Sequence, residues 1–107
     1  MIDSKKGELT IRALQRQIFQ TFGAKDAARG DSGTFLWLSE EVGELAGALR
    51  TGSDEELGFE MADVLAWLAT LANVRGIDLE AAFLRKYGAA CPKCGRSPCG
   101  CDGARKP

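Results

Sequence analysis

Histidine is absent from this chain of 107 residues, and its cations are unevenly distributed. Without histidine there is no Ser-His-Asp or Cys-His catalytic group, and no Glu-x-x-His pair of the kind that holds two irons in helical bundles. No Lys or Arg occurs between Thr51 and Val74. Acids in that stretch therefore have no cation nearby in the sequence to neutralise them.

Basic stripes and long apolar runs are also missing. The formal net charge is −1 and the basic residues are scattered, which argues against a nucleic-acid partner. No N-terminal stretch resembles a signal peptide, and no run approaches the roughly 20 apolar residues of a membrane span. We therefore expect a small cytoplasmic protein with neither a nucleic-acid nor a membrane partner.

The hydrophobic periodicity predicts an all-α fold. Ser53 and Glu56 match a capping box, Gly76 matches a helix stop, and Asp78 matches another N-cap. Residues 23–33 are polar and contain glycine, so we expect a connection there. The predicted helices cover residues 8–22, 34–50, 54–75 and 78–87.

The two central helices are predicted to form an antiparallel hairpin, because the connection between them is short. Each has an apolar stripe at helical spacing, made of Phe35, Leu38, Val42, Leu45 and Leu49 on one helix, and Leu57, Met61, Val64, Leu65, Leu68 and Leu71 on the other. Gly43 and Gly47 suggest a close helix contact, since glycine inside a helix costs roughly 1 kcal/mol against alanine. The alternative is that both are merely tolerated.

Carboxylates gather beside these stripes in two turns. Glu41 and Glu44 share one helix face, as do Glu60 and Asp63, while Glu40 adjoins the first pair. A buried carboxylate without a partner is costly unless it is paired, protonated or bound to a metal. Hard oxygen ligands suit a divalent cation such as Mg²⁺. The alternative is an ordinary solvated acidic face.

These acids also form a recognisable motif. Residues 40–46 and 60–65 reproduce an EExxE…ExxD pattern, and residues 71–79 and Lys86 follow in the expected order. In these residues the chain resembles the MazG-like nucleoside triphosphate pyrophosphohydrolases, part of the all-α NTP pyrophosphatase superfamily. The resemblance extends from about Leu9 to Tyr87.

The resemblance implies hydrolysis of an NTP or dNTP to the monophosphate and pyrophosphate, by attack of water on the α-phosphorus, to remove unwanted nucleotides. It assigns Mg²⁺, with Mn²⁺ as the substitute, to Glu41, Glu44, Glu60 and Asp63. Glu40 is interpreted as a water-orienting residue or base, with a second metal contact or a surface position as alternatives. Glu41 shares the catalytic assignment.

Three further residues are candidate substrate contacts. Lys86 matches a family lysine that contacts phosphate, or is an ordinary exposed lysine. Asn73 is expected to bond the sugar or base, or to cap its helix. Trp37 either stacks on a base or serves packing or a dimer contact. Trp67 stands where relatives often have tyrosine, so any hydroxyl contact to substrate is lost.

Family members pair such hairpins into a four-helix core, so the resemblance also implies a homodimer or a dimer of dimers. Two other functions remain open. One is a catalytically silent helical zinc-binding module that mediates assembly. The other is the same chemistry on a different metabolite, such as phosphoribosyl-ATP.

The C-terminal stretch has a different composition, which divides the chain into a helical catalytic domain at residues 1–87 and a tail at 88–107. Every cysteine lies in this tail, and in a cytosolic protein such bunching favours metal over disulfides. Four thiolates would enclose a structural Zn²⁺ with no open position. A disordered or redox-active tail is the alternative. The four predicted ligands are Cys91, Cys94, Cys99 and Cys101.

Overall fold

The structure is a computed structural model that describes residues 8–103. Within that part of the chain it contains three α-helices and no strand, which confirms the predicted all-α class. The helices are α1, Ile11–Thr51, α2, Asp54–Arg75, and α3, Leu79–Tyr87. The ends of the two predicted domains, residues 1–7 and 104–107, lie outside the described residues.

The helix ends of α2 and α3 lie where the sequence predicts them. The hydroxyl of Ser53 accepts a hydrogen bond from the backbone N–H of Glu56 at 3.2 Å and so caps α2. Gly76 ends α2 in the left-handed conformation, at φ 67°. The carboxylate of Asp78 caps α3 by accepting from the N–H of Ala81 at 3.0 Å. Local side-chain chemistry therefore determines both boundaries.

The predicted connection over residues 23–33 is confirmed as the place where two helical segments of α1 meet, but its predicted length is wrong, because the flanking residues are helical. Only Gly30 leaves helical geometry there, at φ 81° and ψ 179°. A residue with a side chain would be strained in that conformation by about 1–3 kcal/mol, so glycine suits this break. The residues between Gly23 and Gly30 include three alanines, one Lys and one Arg, all of which favour helix.

A buried polar network supports the break in α1. The carboxylate of Asp26 is 3% exposed, pairs with the guanidinium of Arg29 at 2.9 Å and accepts from the Thr70 hydroxyl at 3.1 Å. Arg29 also donates to the hydroxyl of fully buried Thr34, which donates to the carbonyl of Gly30. These bonds join both halves of α1 to the C-terminal third of α2.

Helix α3 is held against the beginning of α1. Arg12 pairs with Asp78 at 3.0 Å and with Glu80 at 2.9 Å. The side-chain amide of Gln15 donates to the carbonyl of Ile77 and accepts from the N–H of Leu79. The turn between α2 and α3 is therefore fixed by polar side chains rather than by a buried apolar core.

Much of the apolar surface stays uncovered in the single chain. Among the described residues, the buried hydrophobic side chains are only Ile18, Ala69 and Ala72. Members of the two predicted apolar stripes remain 39–70% exposed, namely Phe35, Val42, Leu49, Met61, Leu65 and Leu68. Large apolar side chains exposed along the same helix faces are typical of an interaction surface.

The two glycines of α1 that were expected at a close helix contact do not make one within the chain. A methyl group built on either Gly43 or Gly47 meets no atom within 4 Å. The predicted contact is therefore wrong for the hairpin itself, since α1 and α2 pack through other positions.

Helix α2 is long and apolar enough to cross a membrane by length and composition alone. Its most apolar 18-residue window has a mean hydropathy of 1.3, and 17% of that window is buried within the chain. The core helix of a soluble protein passes the same test. Glu60 and Asp63 lie midway along this helix, where a lipid-facing span would rarely carry acids.

Candidate functional site

The acidic residues that the motif singled out converge between α1 and α2. Glu41 lies on the C-terminal half of α1, and Glu60 and Asp63 lie one turn apart on α2. One carboxylate oxygen from each of these three lies within 4.8 Å of the other two. The antiparallel hairpin therefore brings both acidic turns to the same level, as the i, i+3 spacing predicts.

Glu44 completes the group. Its carboxyl lies close enough to those of Glu41 and Glu60 to raise the pKa of both, so it adds a fourth acid to the two facing turns. Neighbouring carboxylates repel one another unless a proton or a cation lies between them. The four acids are thus close enough to require either protons or a cation between them.

The electrostatics of the cluster follow from burial and mutual repulsion. Burial, followed by the hydrogen bond and negative charge of Glu44, raises the pKa of Glu41 to about 7. Burial and the charges of Glu44 and Asp63 raise the pKa of Glu60 as well. Each shift favours the neutral form, which is the expected response of carboxylates that share a site.

Two oxygen atoms in this cluster have no partner. Glu41 Oε2 and Glu60 Oε2 are buried and form no hydrogen bond. Among the described residues, no Lys or Arg forms an ion pair with any of the four acids. An unsatisfied buried oxygen costs about 1–3 kcal/mol or more when charged, and a divalent cation with oxygen ligands removes that cost. The residues present fit such an ion.

Glu40 does not join the cluster. Like Glu44, it is exposed and lies outside the three acids whose oxygens converge, but unlike Glu44 it does not appear among the causes that raise the pKa of Glu41 or Glu60. Adjacent helix residues point about 100° apart, so Glu40 and Glu41 cannot occupy the same face. The catalytic role assigned to Glu40 stays a prediction.

A pocket of about 390 Å³ adjoins the acids. It shares Asp63 with the acidic cluster and includes the ring of Trp67 and the buried carboxylate of Asp26. A volume of a few hundred Å³ with mixed polar and apolar walls is typical of a small-molecule site. The lining residues are Ile18, Phe22, Lys25, Asp26, Arg29, Asp63, Ala66, Trp67 and Thr70.

Sequence reasoning missed the polar wall of this pocket. The guanidinium of Arg29 lies over the Trp67 ring, 4.8 Å from its centroid, while it pairs with Asp26. The only sequence signal was the i, i+3 spacing of Asp26 and Arg29, and it lay in a stretch predicted to be a connection. Thr70 gave no signal, because its hydroxyl acts through a residue far away in the sequence.

The three predicted substrate contacts lie in different places. The ring of Trp37 stacks on Trp67 with centroids 6.2 Å apart, so it adjoins the pocket. The Asn73 amide donates to the carbonyl of Gln15 and lines a different cleft. The Lys86 ammonium lies over the ring of Tyr87 on α3. Neither Asn73 nor Lys86 lines the pocket that contains Asp63.

The four cysteines form a second cluster. All are free, and their sulfurs lie within 4.8 Å of one another. Main-chain N–H groups of Cys94 and Lys93 hold the pKa of Cys91 down at about 6. Hydrogen bonds with Cys99 and Cys91 raise the pKa of Cys101 to about 12. The cluster has the donor set of a metal site.

Paired acidic turns on facing helices, with a pocket at their edge, define a helical protein suited to hold a cation beside an organic ligand. The chain belongs to the MazG nucleotide pyrophosphohydrolase domain family, whose model matches residues 29–95. The match confirms the resemblance seen in the motif residues. Members of the family act on nucleotides and are typically metal-dependent.

The raised pKa values predict how the stability of the metal-free protein depends on pH. A carboxyl with a higher pKa in the folded chain binds its proton more tightly there, so folding is favoured while it is protonated. For Glu41 this stabilisation is complete below 4.5 and is lost as the pH rises through about 7. We expect the free energy of unfolding, measured by denaturant titration, to fall across this window.

Glu41→Gln separates the contribution of this carboxyl to the pH dependence from that of other titrating groups, such as the Cys91 thiol. The variant should lose part of the pH dependence, whereas Glu55→Gln, which changes an exposed acid in the first turn of α2, should keep it. Adding Mg²⁺ should stabilise the unmodified protein more above pH 7 than at acid pH, because protons and the cation compete. Identical pH profiles for Glu41→Gln and the unmodified protein would contradict the assignment.

Proposed function

We propose that this protein hydrolyses a nucleoside or deoxynucleoside triphosphate to the monophosphate and pyrophosphate in a Mg²⁺-dependent reaction that removes unwanted nucleotides. The observation that carries the proposal is the pair of buried, unpartnered oxygens in the acidic cluster, Glu41 Oε2 and Glu60 Oε2. Membership of the family supports a nucleotide as the substrate and pyrophosphohydrolysis as the reaction. The finer assignment to triphosphates rests on the motif residues.

The cation would be held by Glu41, Glu44, Glu60 and Asp63, with Mn²⁺ able to replace Mg²⁺. When bound, it neutralises phosphate oxygens, fixes the triphosphate and lowers the pKa of an attacking water. Protons that the raised pKa values favour on Glu41 and Glu60 must leave before the cation binds. That requirement links cation binding to pH through the raised pKa values of Glu41 and Glu60.

The reaction needs a group that accepts a proton from water as the water attacks the α-phosphorus and pyrophosphate leaves. The chain has no histidine, so a carboxylate is the natural base. Glu40 is exposed beside the cluster, and Glu41 has a pKa of about 7 in the metal-free protein. Either carboxylate is suited to orient the water. Positioning and charge neutralisation account for most of the lowering of the barrier in such reactions.

The pocket next to Asp63 is the proposed site for the nucleoside. Its volume of about 390 Å³ is adequate for a base and sugar, and Trp67 provides an aromatic wall. Arg29 and Lys25 lie in the same lining, where their positive charge suits the negative ligand. Trp37, stacked on Trp67, extends the aromatic surface outward.

Two of the predicted contacts have less support in the single chain. The Asn73 amide is already occupied by the Gln15 carbonyl, which gives it a packing role. Lys86 lies on α3 over the Tyr87 ring, apart from the pocket. We retain Lys86 as a proposed phosphate contact because it matches the family lysine.

We also propose that two or four copies of the chain assemble through the apolar stripes of α1 and α2. The support is the exposure of these side chains, which no described segment covers. In this proposal the apolar face of α2 is covered by a second hairpin and not by lipid. The protein is then cytoplasmic, with no membrane or nucleic-acid partner. The cysteine cluster holds a structural Zn²⁺ and takes no part in the hydrolysis.

The assembly predicts a solution mass of two or four chains, measured by light scattering after size-exclusion chromatography. Leu65→Glu places a charge on the stripe and should reduce the mass, because an interface does not tolerate a buried unpaired charge. Leu84→Glu, at a comparably exposed leucine on α3, is the matched control and should leave the mass unchanged. A solution mass of one chain for the unmodified protein would refute the assembly.

The hydrolysis is tested by incubating the protein with Mg²⁺ and a panel of NTPs, dNTPs and phosphoribosyl-ATP, and by resolving the products. We expect pyrophosphate together with a monophosphate, because the proposed attack is on the α-phosphorus. Orthophosphate with a diphosphate would contradict that attack. Turnover of phosphoribosyl-ATP alone would redirect the substrate assignment, and inertness on the whole panel would favour the zinc-binding assembly module.

Glu44→Gln and Asp63→Asn test the residues behind that activity. Each should lower turnover by roughly 100-fold or more, since each removes a charged group from the site that neutralises the transition state. Glu55→Gln, an exposed acid outside the cluster, should keep full turnover. The helical content measured by circular dichroism should not change in any of the three.

A further inference from the structure

The C-terminal segment, residues 88–103, is distinct from the helices that precede it. It forms turns and bends without a helix or strand in its described length, and it contains no large apolar side chain. The family match ends at residue 95, between the first and second cysteine pairs. The segment therefore has no hydrophobic core of its own to explain its conformation, and none of its residues lines the pocket beside Asp63.

The sulfur positions match a tetrahedral metal site. Zn–S bonds are about 2.3 Å long, so two sulfurs on a tetrahedral ion lie about 3.8 Å apart. The Cys91 and Cys101 sulfurs are 3.8 Å apart, and those of Cys94 and Cys99 are 3.9 Å apart. A disulfide would need about 2.05 Å. The thiols are thus spaced as ligands and not as bonded pairs.

Main-chain N–H groups point at three of the sulfurs. Lys93 donates to Cys91 at 3.4 Å, Gly100 donates to Cys94 at 3.3 Å, and Cys101 donates to the sulfur of Cys99 at 3.2 Å. Such bonds stabilise negative charge on sulfur, which is the form that binds metal. The backbone therefore favours negative charge on the sulfurs of Cys91, Cys94 and Cys99, which the sequence spacing alone does not reveal.

The first cysteine pair is presented by a closed loop. The N–H of Gly95 donates to the carbonyl of Cys91 at 2.9 Å, and the N–H of Cys91 donates to the carbonyl of Arg96 at 3.0 Å. Gly95 has φ 72°, a conformation that a residue with a side chain rarely adopts. This loop orients the Cys91 and Cys94 sulfurs toward the second pair.

We infer that residues 88–103 are a metal-dependent folding unit, in which one Zn²⁺ bound by all four thiolates supplies the core that the segment lacks. Four protein ligands fill the coordination sphere, so the site is structural and has no open position for a substrate. The helices fold through their own contacts and do not need this ion. The inference rests on the Zn²⁺ assigned under the proposed function, but it is independent of nucleotide hydrolysis.

The first measurement is metal content. The intact protein, purified under reducing conditions with zinc supplied, should contain one zinc per chain by elemental analysis. Cys99→Ser should lower this content at least tenfold at the same zinc concentration, because it removes one of four ligands. Ser97→Ala, two residues away, should retain one zinc. Little or no bound zinc, or iron in its place, would overturn the inference.

The second measurement separates folding of the segment from folding of the helices. Amide nitrogen–proton NMR spectra are compared for the zinc-loaded protein and the chelated protein, with thiols kept reduced and excess Mg²⁺ restored. We expect the resonances of residues 88–103 to collapse to unfolded positions while those of α1 and α2 persist. Dispersed tail resonances after complete removal of zinc would refute metal-dependent folding, even if zinc binds. Neither experiment requires a nucleotide, so a failure of the hydrolysis would leave both results interpretable.

Discussion

The mutual repulsion of four carboxylates held between two helices is the constraint on which the rest of this structure depends. Glu41 and Glu60 cannot withdraw into solvent, because one oxygen of each is buried. They cannot be neutralised by a neighbouring side chain either, since among the described residues no Lys or Arg pairs with them. Protons or a cation must therefore balance the charge, and this choice connects pH, stability and metal binding.

The break in α1 connects that cluster to a pocket. Gly30 lets α1 change direction, and the bonds among Asp26, Arg29 and Thr70 hold its first half against α2. As a result the Trp67 ring and the Arg29 guanidinium lie in the same pocket as Asp63. One polar network thus stabilises the fold and shapes the space next to the acids.

Local patterns in the sequence were sufficient for the acids and the helix ends. Acid pairs at i, i+3 on two helices joined by a short turn are brought together by the hairpin itself. Ser53, Gly76 and Asp78 end or cap helices through residues close to them in sequence. The connection predicted over residues 23–33 includes the break at Gly30, but the sequence did not show that the break is confined to that one residue. The bond between Asp26 and Thr70 that braces this region was not predictable either, because the two residues are distant in sequence and meet only in the folded chain.

The apolar stripes show a different limit. Their spacing predicted correctly which residues share a helix face, but not what covers that face. Leu65 and Met61 remain about half exposed in the single chain, and Gly43 contacts nothing across the hairpin. Periodicity shows which face of a helix is apolar, but it does not show what packs against that face, because the packing partner is not part of the helix sequence.

The most direct measurement of the central claim is anomalous diffraction at the manganese edge, from crystals grown with Mn²⁺ in place of Mg²⁺. The account predicts a single region of anomalous density bounded by the carboxylates of Glu41, Glu60 and Asp63, with the Glu44 carboxylate turned toward it. Well-ordered acids without such density, paired instead with Lys or Arg or turned into solvent, would contradict the account.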